Sequence, residues 1–495
     1  MSILGWRVFF TRRGLPRPRT EDVVYADPEA LDEWLDEHGV LDGQPFLISP
    51  AGGYDVELNS IFATVLSASP RNTQAAVARD LRGFLNFLWF SRPGTDSRTG
   101  ERAQPRTWRE ATPEDRAAYE RWRRKDPAGP RVEDSTWDRE VSTVNEFYLW
   151  AISQDLVRVN PIVQRTVTVL DPVHGRRERL APAESSHVGP RRDVKWLPPA
   201  SYLRWRDVGI RGFGPDGLPS PRFRGRFAAR NSAYSDLMVR TGMRLDEQSS
   251  LTLFELPEAE PGLHNARTRL PNAVAKNGSG RVIYVPVPTL KDVWEYVEID
   301  RTEAVEDARA RGRYDAVRSP LVVEDRDRAA VRLGGRWVPV AKLEPHERRR
   351  LFVEGKEGLE PAALWLTERG LPMTPSGWQQ VFKDANARCQ AHGLRDRAHP
   401  HALRHSYAVV TLEQLWRGHL QALGEMNADQ RELYQMVFGD PLNWLRIRLG
   451  HRSVVTTQLY LHTLQELEME TRIALIPADS WGPSGFCSQG WEAVA

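Results

Sequence analysis

Two short segments in the C-terminal half carry side chains that could act on a phosphodiester bond. The segment HALRHSYA begins at His401 and places Arg404 three residues later, so a helix would hold both on one face. The segment LGHRSVVTTQLYLH contains His451 and, nine residues further on, Tyr460. A planar guanidinium can bind two phosphate oxygens without losing its charge, and a phenol can attack phosphorus. Together these residue types predict phosphodiester cleavage that needs no metal.

Each segment taken alone has a plainer interpretation. His401 and Arg404 could form a surface pair or a helix cap, and Tyr460 could simply pack in a helical core. His401 and His405 are spaced to hold zinc on a helix, but Ala402 stands where a zinc protease carries its acid. We therefore predict no metal site and no cofactor.

The bulk composition is typical of a globular chain with two or three domains. The chain has 495 residues, of which 40% are hydrophobic and 27% are charged. A net charge of +2 is too small to indicate a nucleic-acid partner, so any DNA-binding charge must be concentrated locally. Only two cysteines, no signal peptide and no apolar run of membrane-spanning length predict a cytoplasmic protein without a membrane partner.

The segment from about residue 61 to 165 is predicted to be helical. Thr73 can begin one helix, Thr112-Pro113 a second and Ser135 a third, and Asn160-Pro161 ends the segment. Helical spacing gives the third helix an apolar stripe of Trp137, Val141, Val144, Tyr148 and Ala151.

A linker rich in Pro and Gly is predicted at residues 166–196. It could be a solvated surface segment, or a strap that follows a phosphate backbone and releases counterions. Its basic residues are Arg176, Arg177, Arg179, Arg191, Arg192 and Lys195.

The rest of the chain has a mixed α and β pattern. A helix is predicted from Ser232 to Arg240, ending at Gly242. Asn272 to Lys276 and Arg281 to Pro286 are predicted to pair as a hairpin, because Asn277-Gly278 is a strong turn signal. Beyond it we expect mainly helix, with the charged segment 303–360 as an insertion.

The motifs in this half of the chain together resemble those of the tyrosine recombinase, or phage integrase, family. Members carry a box similar to HALRHSYA, then Leu-Gly-His, then Thr-Thr and a tyrosine at the spacing found here. The upstream segment TGMRLDEQSSL is similar to the family's first arginine box and supplies Arg244 and Glu247. Lys276 lies where the family places a hairpin lysine. The resemblance covers roughly residues 60–476.

The resemblance implies a role for each matching residue. Arg244 and Arg404 would hold the scissile phosphate, and His451 would donate a hydrogen bond to it. Tyr460 would be the nucleophile, in preference to Tyr407 and Tyr434. Glu247 would orient the basic groups, and Lys276 would be the acid for the 5′ oxygen. His401 would accept the phenolic proton of Tyr460 or at least position the phenol.

The family fold would be mainly α with a small β component. It would divide into an N-terminal extension at 1–60, a helical core-binding (SAM-like) domain at 61–165, the linker at 166–196, a mixed α+β catalytic domain at 197–480 and a tail at 481–495. A helix after Tyr460 could dock on a neighbouring protomer or pack on its own domain.

The implied activity is site-specific recombination of double-stranded DNA through a 3′-phosphotyrosine and a Holliday junction. Four protomers would act on two DNA sites, with a monomer or dimer in isolation, and the length and insertions favour a mobile element. Two alternatives stay open: a nicking and closing enzyme similar to type IB topoisomerases, and a DNA-binding relative without catalysis.

Overall fold

The computed structural model divides the chain into two compact units, Met1–Pro190 and Arg191–Ala495. None of the described helices has the length and apolar character needed to cross a membrane. The residues that the structure describes are 5–12, 33–35, 37–92, 105–171, 175–183, 194–221, 223–225, 227–315, 317, 320–325, 327–355, 357–427, 430 and 440–473.

The first unit is a helical body flanked by two short antiparallel strand pairs. Strand β1 pairs with β2, and β3 pairs with β4. The elements are β1 (Arg7–Phe10), β2 (Pro45–Ile48), α1 (Val56–Ala63), α2 (Arg71–Ser91), α3 (Pro113–Arg124), α4 (Asp134–Ser153), β3 (Gln164–Asp171) and β4 (Gly175–Pro182).

Local sequence signals account for the main helices of this unit. The Thr112 side chain accepts a hydrogen bond from the backbone of Asp115, and Pro113 opens α3 as predicted. Helix α2 begins at Arg71 after Pro70, two residues before the predicted start at Thr73. The apolar stripe predicted for α4 is buried throughout: Trp137, Val141, Val144, Tyr148 and Ala151.

Two regions of the first unit differ from the sequence-based picture. Trp6 and Leu47, in the expected N-terminal extension, belong to the same core as the helices, so the described part of that extension is built into the helical unit. At the start of the predicted linker, β3 and β4 form a hairpin of two eight-residue strands. Alternating residues such as Thr166, Val167 and Thr168 suit an extended strand, a pattern that the Pro and Gly content of the segment obscured.

The second unit begins with helices and one hairpin around a shared core. Helix α5 (Pro199–Arg204) continues as a π-helical turn, Trp205–Ile210. Helix α8 (Val287–Tyr296) continues through a second π-helical turn, Val297–Arg301, into α9 (Thr302–Ala310). The other elements are α6 (Ala228–Thr241), α7 (Leu245–Ser249), β5 (Asn265–Leu270), β6 (Arg281–Pro286), α8 (Val287–Tyr296) and α9 (Thr302–Ala310).

The charged segment 303–360, to which the sequence analysis assigned no elements, contains a small β subdomain, whereas the described chain after the hairpin is otherwise mainly helical, as expected. The runs of apolar residues in this segment are too short to indicate strands, but these residues form a hydrophobic core of their own. The sheet order is β11-β10-β7, with β8 and β9 as a separate hairpin. The elements are β7 (Leu321–Val323), β8 (Ala330–Leu333), β9 (Arg336–Pro339), α10 (Pro345–Arg348), β10 (Leu351–Gly355) and β11 (Gly358–Pro361).

The described part of the second unit ends with the helices α11 (Pro375–Ala391), α12 (Pro400–Gly424), α13 (Pro441–Leu449) and α14 (Val454–Ile473). The first three each begin at a proline, and the preceding residue caps the helix through its side chain. Helix α14 carries Tyr460 and packs on α12 and α13 of its own chain. The fold is thus mainly α with a small β component, as predicted.

Candidate active site

Arg404 is the buried centre of the site. It lies on α12, is 1% exposed, and donates to the carbonyl oxygens of Gly242 and Leu449. Both carbonyls belong to helix C-termini, where backbone oxygens lack helical partners and carry partial negative charge. Burial, together with the charge of Arg244, lowers the pKa of Arg404 to about 9, which leaves it charged at neutral pH. Two helix ends therefore fix one cation in place.

Glu247 joins two further arginines beside this centre. It accepts hydrogen bonds from the backbone N of Arg244 at 2.9 Å and from Arg244 Nη1 at 2.8 Å. Arg281 Nη2 and Nη1 donate to its two oxygens at 2.7 Å and 3.1 Å. Burial alone would raise the pKa of Glu247, but the hydrogen bond and charge of Arg281 and the charge of Arg244 lower it to about 2.

Arg281 was missed by the sequence analysis. It opens β6 and is almost fully buried, and its Nε also donates to the carbonyl of Arg448 at 2.6 Å. A buried carboxylate needs a cationic partner, so Glu247 in the segment TGMRLDEQSSL was itself a signal that a second arginine lies nearby.

His451 follows a glycine turn at the end of α13. Gly450 has a φ of +63°, a left-handed conformation that glycine adopts without strain, and it directs the chain from α13 toward α14. Burial and the charge of Arg404 lower the pKa of His451 to about 3, so the ring is neutral. Its Nε2 accepts from Arg404 at 3.3 Å, and its Nδ1 donates to Thr457 at 3.0 Å.

Tyr460 lies in the middle of the cluster, on α14. It is 2% exposed, and its hydroxyl is 2.9 Å from Nδ1 of His405. Its ring is nearly parallel to that of His451, with 6.4 Å between centroids. Burial raises the pKa of Tyr460 to about 12, although the charges of Arg404 and Arg244 act in the opposite direction.

His401 and Lys276 lie at the exposed edge of the cluster. His401 is exposed on the first turn of α12, and its ring meets that of His405 edge to face at 4.4 Å. Lys276 is exposed in the connection between β5 and β6. The second predicted strand of the hairpin is confirmed, but the first is Asn265–Leu270 rather than 272–276. Pro271, which cannot donate to a strand ladder, follows the real first strand.

The remaining candidate residues are the competing tyrosines and the basic residues of the predicted linker. Tyr407 packs against Gly242, and burial raises its pKa. Lys195 is exposed, next to Val194, which is buried in the core of α12. Arg176 and Arg177 lie on β4, whereas Arg191, Arg192 and Tyr434 are outside the residues that the structure describes.

The arrangement is suited to binding an anion next to a phenol. Arg244, Arg281 and Arg404 share a single buried carboxylate among the described residues of the cluster, and burial keeps His451 neutral. The excess positive charge lies within the electrostatic range of Tyr460. Such a site can stabilise the negative charge that develops on a phosphate as an oxygen nucleophile attacks it.

Comparison with known proteins agrees with this chemistry. No family model matches the chain. Tyrosine recombinase XerC of Lactobacillus delbrueckii subsp. bulgaricus is 24% identical over 345 residues, which cover 70% of this chain and 78% of the relative. Tyrosine recombinase XerD of Bifidobacterium longum is 32% identical over 118 residues, 24% of this chain and 30% of the relative.

Solved structures of recombinases are also similar to the chain. XerH bound to a palindromic difH substrate has a TM-score of 0.46 at 13% identity, covering 91% of this chain and 90% of that one. A lambda integrase dimer bound to a COC′ core site has a TM-score of 0.40 at 12% identity, covering 81% and 93%.

A tyrosine surrounded by arginines and histidines, in a mainly α domain with sequence relatives of this kind, defines the enzyme class of tyrosine-type site-specific recombinases. The chain is similar to tyrosine recombinases, at 24% identity over 70% of its length.

Proposed function

We propose that this recombinase cuts and rejoins DNA at specific sites through a covalent 3′-phosphotyrosine at Tyr460. The observation that carries the proposal is the burial of the phenol inside a cluster with an excess of guanidinium charge. A covalent intermediate keeps the energy of the broken phosphodiester bond, so rejoining needs no ATP.

The proposed roles follow from the contacts of each side chain. Arg404 and Arg244 would hold the two non-bridging oxygens, because a planar guanidinium offers N–H donors in a fork that matches phosphate oxygens. His451 would donate a hydrogen bond to the phosphate from Nε2 after turning from Arg404, with its proton on Nε2 instead of Nδ1 and Thr457 as the donor to Nδ1. Glu247 keeps Arg244 in position. Lys276, on its exposed turn, would protonate the departing 5′ oxygen.

The partners proposed are two double-stranded DNA sites bound by four copies of the chain. The freed 5′ hydroxyl of one duplex would attack the phosphotyrosine of the other, which gives a Holliday junction. The relatives are named recombinases, and solved recombinases with this kind of fold hold DNA recombination sites. Arg176, Arg177, Arg191, Arg192 and Lys195 are proposed to contact the DNA backbone.

A nicked suicide substrate tests the nucleophile. The probe is a pool of nicked duplexes taken from the DNA that flanks the coding region. The nick traps the covalent state, because the short fragment beyond the nick is lost after cleavage and rejoining is then impossible. Wild-type protein should form a covalent adduct that survives denaturation. Tyr460→Phe should form none, whereas Tyr407→Phe, a matched change at the competing tyrosine, should still form it.

Two results would contradict the proposal: no adduct with wild-type protein, or an adduct with Tyr460→Phe. A supercoiled plasmid that lacks the selected site serves as the control for specificity. Rapid relaxation of that plasmid would instead indicate a nicking and closing enzyme of the topoisomerase type.

A further inference from the structure

The hydroxyl of Tyr460 has one described hydrogen-bond partner, and that partner is His405. The distance from Oη to Nδ1 is 2.9 Å, and the two ring centroids are 5.6 Å apart. His405 immediately follows Arg404, so the side chain that meets the phenol lies on the same helix turn as the central phosphate ligand. The family resemblance assigned the phenolic proton to His401, which is exposed and contacts the ring of His405 instead.

The surroundings of His405 make it an acceptor in this hydrogen bond. Burial, followed by the charges of His401 and Arg404, lowers the pKa of His405 to about 3, so its ring is neutral. We assign the phenol as donor, because a neutral imidazole offers a lone pair and the described residues give the phenol no other acceptor. The titratable and charged groups that face His405 are His399, His401 and Arg404 on or next to α12, Tyr460 on α14, and His451 before α14.

We propose that His405 is a catalytic residue of the cleavage step, accepting the proton of Tyr460 at Nδ1 as Oη attacks phosphorus. The proposal rests on the proposed function of Tyr460. The bond between Oη and phosphorus forms, the bond between phosphorus and the 5′ oxygen breaks, the phenolic proton passes to His405, and Lys276 gives a proton to the 5′ oxygen. In the rejoining step the 5′ hydroxyl attacks phosphorus and returns its proton to Lys276, while Tyr460 leaves and His405 returns the phenolic proton to Oη. His401, edge-on to His405, is then a positioning residue for this acceptor.

The weak acidity of the Tyr460 phenol explains why a proton acceptor is needed. A phenol whose pKa is about 12 is ionised in only about one molecule in 10⁵ at pH 7. Binding a phosphate anion beside Arg404 offsets a positive charge that lowers the pKa of His405. Occupation of the site by DNA thus makes the imidazole more basic at the moment when the proton must move, and the free protein keeps its nucleophile protonated.

Replacing His405 by Asn separates proton transfer from positioning. The amide oxygen of Asn lies close to where Nδ1 lay and can accept the same hydrogen bond, but it cannot take the proton. We expect His405→Asn to lower the single-turnover cleavage rate on the nicked substrate by about 100- to 1,000-fold, with unchanged DNA affinity. His405→Ala should lose at least as much. His462→Asn, a change of an exposed histidine on α14, is the matched control and should cleave like wild type.

A more acidic phenol provides a second readout that a structural role would not move. With 3-fluorotyrosine at position 460, the loss of cleavage rate in His405→Asn should be about tenfold smaller, because a more acidic phenol depends less on a proton acceptor. Thermal unfolding confirms that the variants fold, and His405→Gln replaces any variant that does not.

A cleavage rate of His405→Asn within about threefold of wild type would overturn the proposal. So would an equal loss of rate with tyrosine and with 3-fluorotyrosine at position 460. Failure of the proposed function is distinguishable, since wild-type protein would then give no adduct at all.

Discussion

Glu247 holds together two guanidiniums that would otherwise repel each other. Arg244 and Arg281 approach it from different parts of the chain, and the carboxylate is 1% exposed. Removing one partner of a buried ionic group leaves the others uncompensated, which is more costly than the loss of an exposed pair. The carboxylate of Glu247 therefore supports the arginine Arg244, for which we propose phosphate binding, by fixing its guanidinium in place.

Glu247→Gln should destabilise the protein in a pH-dependent way. The pKa of Glu247 falls from an ordinary value of 4.5 to about 2 on folding. Because the folded pKa is the lower one, the stabilisation is present above about pH 4.5 and is lost as pH falls toward 2. Urea unfolding should show a loss of about 3 kcal/mol at pH 7 and a smaller loss below pH 4. Glu303→Gln, exposed on α9, should change neither value. A difference independent of pH would contradict this account.

At the scale of elements, glycine turns and helix ends place the catalytic groups. Gly242 ends α6 with a φ of +64°, and its carbonyl oxygen accepts a hydrogen bond from Arg404. Gly450 ends α13 with a φ of +63°, directly before His451. A Cβ on Gly450 would lie 3.1 Å from Ser279 Oγ and 3.2 Å from Arg281 Nη1. The turn, the hairpin loop and the buried arginine are therefore packed against one another.

Gly450→Ala should lower stability by about 1–2 kcal/mol, because an alanine is strained in the left-handed conformation and would crowd Arg281. Displacement of His451 should slow cleavage on the nicked substrate more than it weakens DNA binding. Gly418→Ala is the matched control, since a Cβ at this position in α12 meets nothing within 4 Å; it should stabilise by roughly 0.5–1 kcal/mol. Equal melting temperatures for the two variants would argue against the strain.

The sequence predicted elements with local signals and missed contacts that depend on distant parts of the chain. Thr112-Pro113 and the apolar stripe of α4 are local patterns, and both were correct. The Asn-Gly signal suggested a tight turn, whereas the strands of this hairpin are joined by ten residues. Arg281 meets Glu247 across 34 positions and His405 meets Tyr460 across 55, separations that no periodicity encodes.

At the scale of the whole molecule, charge is distributed locally rather than in total. The net charge is only +2, yet among the described residues Arg244 and Arg281 share the carboxylate of Glu247 and Arg404 has no ion pair with an acid. The predicted linker adds Arg191 and Arg192, for which the phosphate backbone remains the proposed partner. Local concentration of charge permits DNA binding while acidic residues elsewhere offset the total.

Replacing Arg191 and Arg192 together by Gln should weaken DNA binding for all sequences alike. The slope of log affinity against log salt should fall in magnitude by about 1.8, because two fewer phosphates are neutralised. Fluorescence anisotropy over a salt series measures it. Arg311→Gln with Arg417→Gln serves as the control, since each of these exposed arginines pairs with an acid one helical turn away. A slope equal to that of wild type would remove the linker from the interface.

The two carbonyls that grip Arg404 have a consequence for the encounter with a substrate. A free arginine side chain carries about 2 kcal/mol of rotamer entropy. Here that freedom is surrendered during folding, since the guanidinium is tied to residues 162 and 45 positions away along the chain. An arriving duplex therefore meets a guanidinium that is already held in place, and a lysine, which has no planar fork, could not hold both carbonyls in the same way.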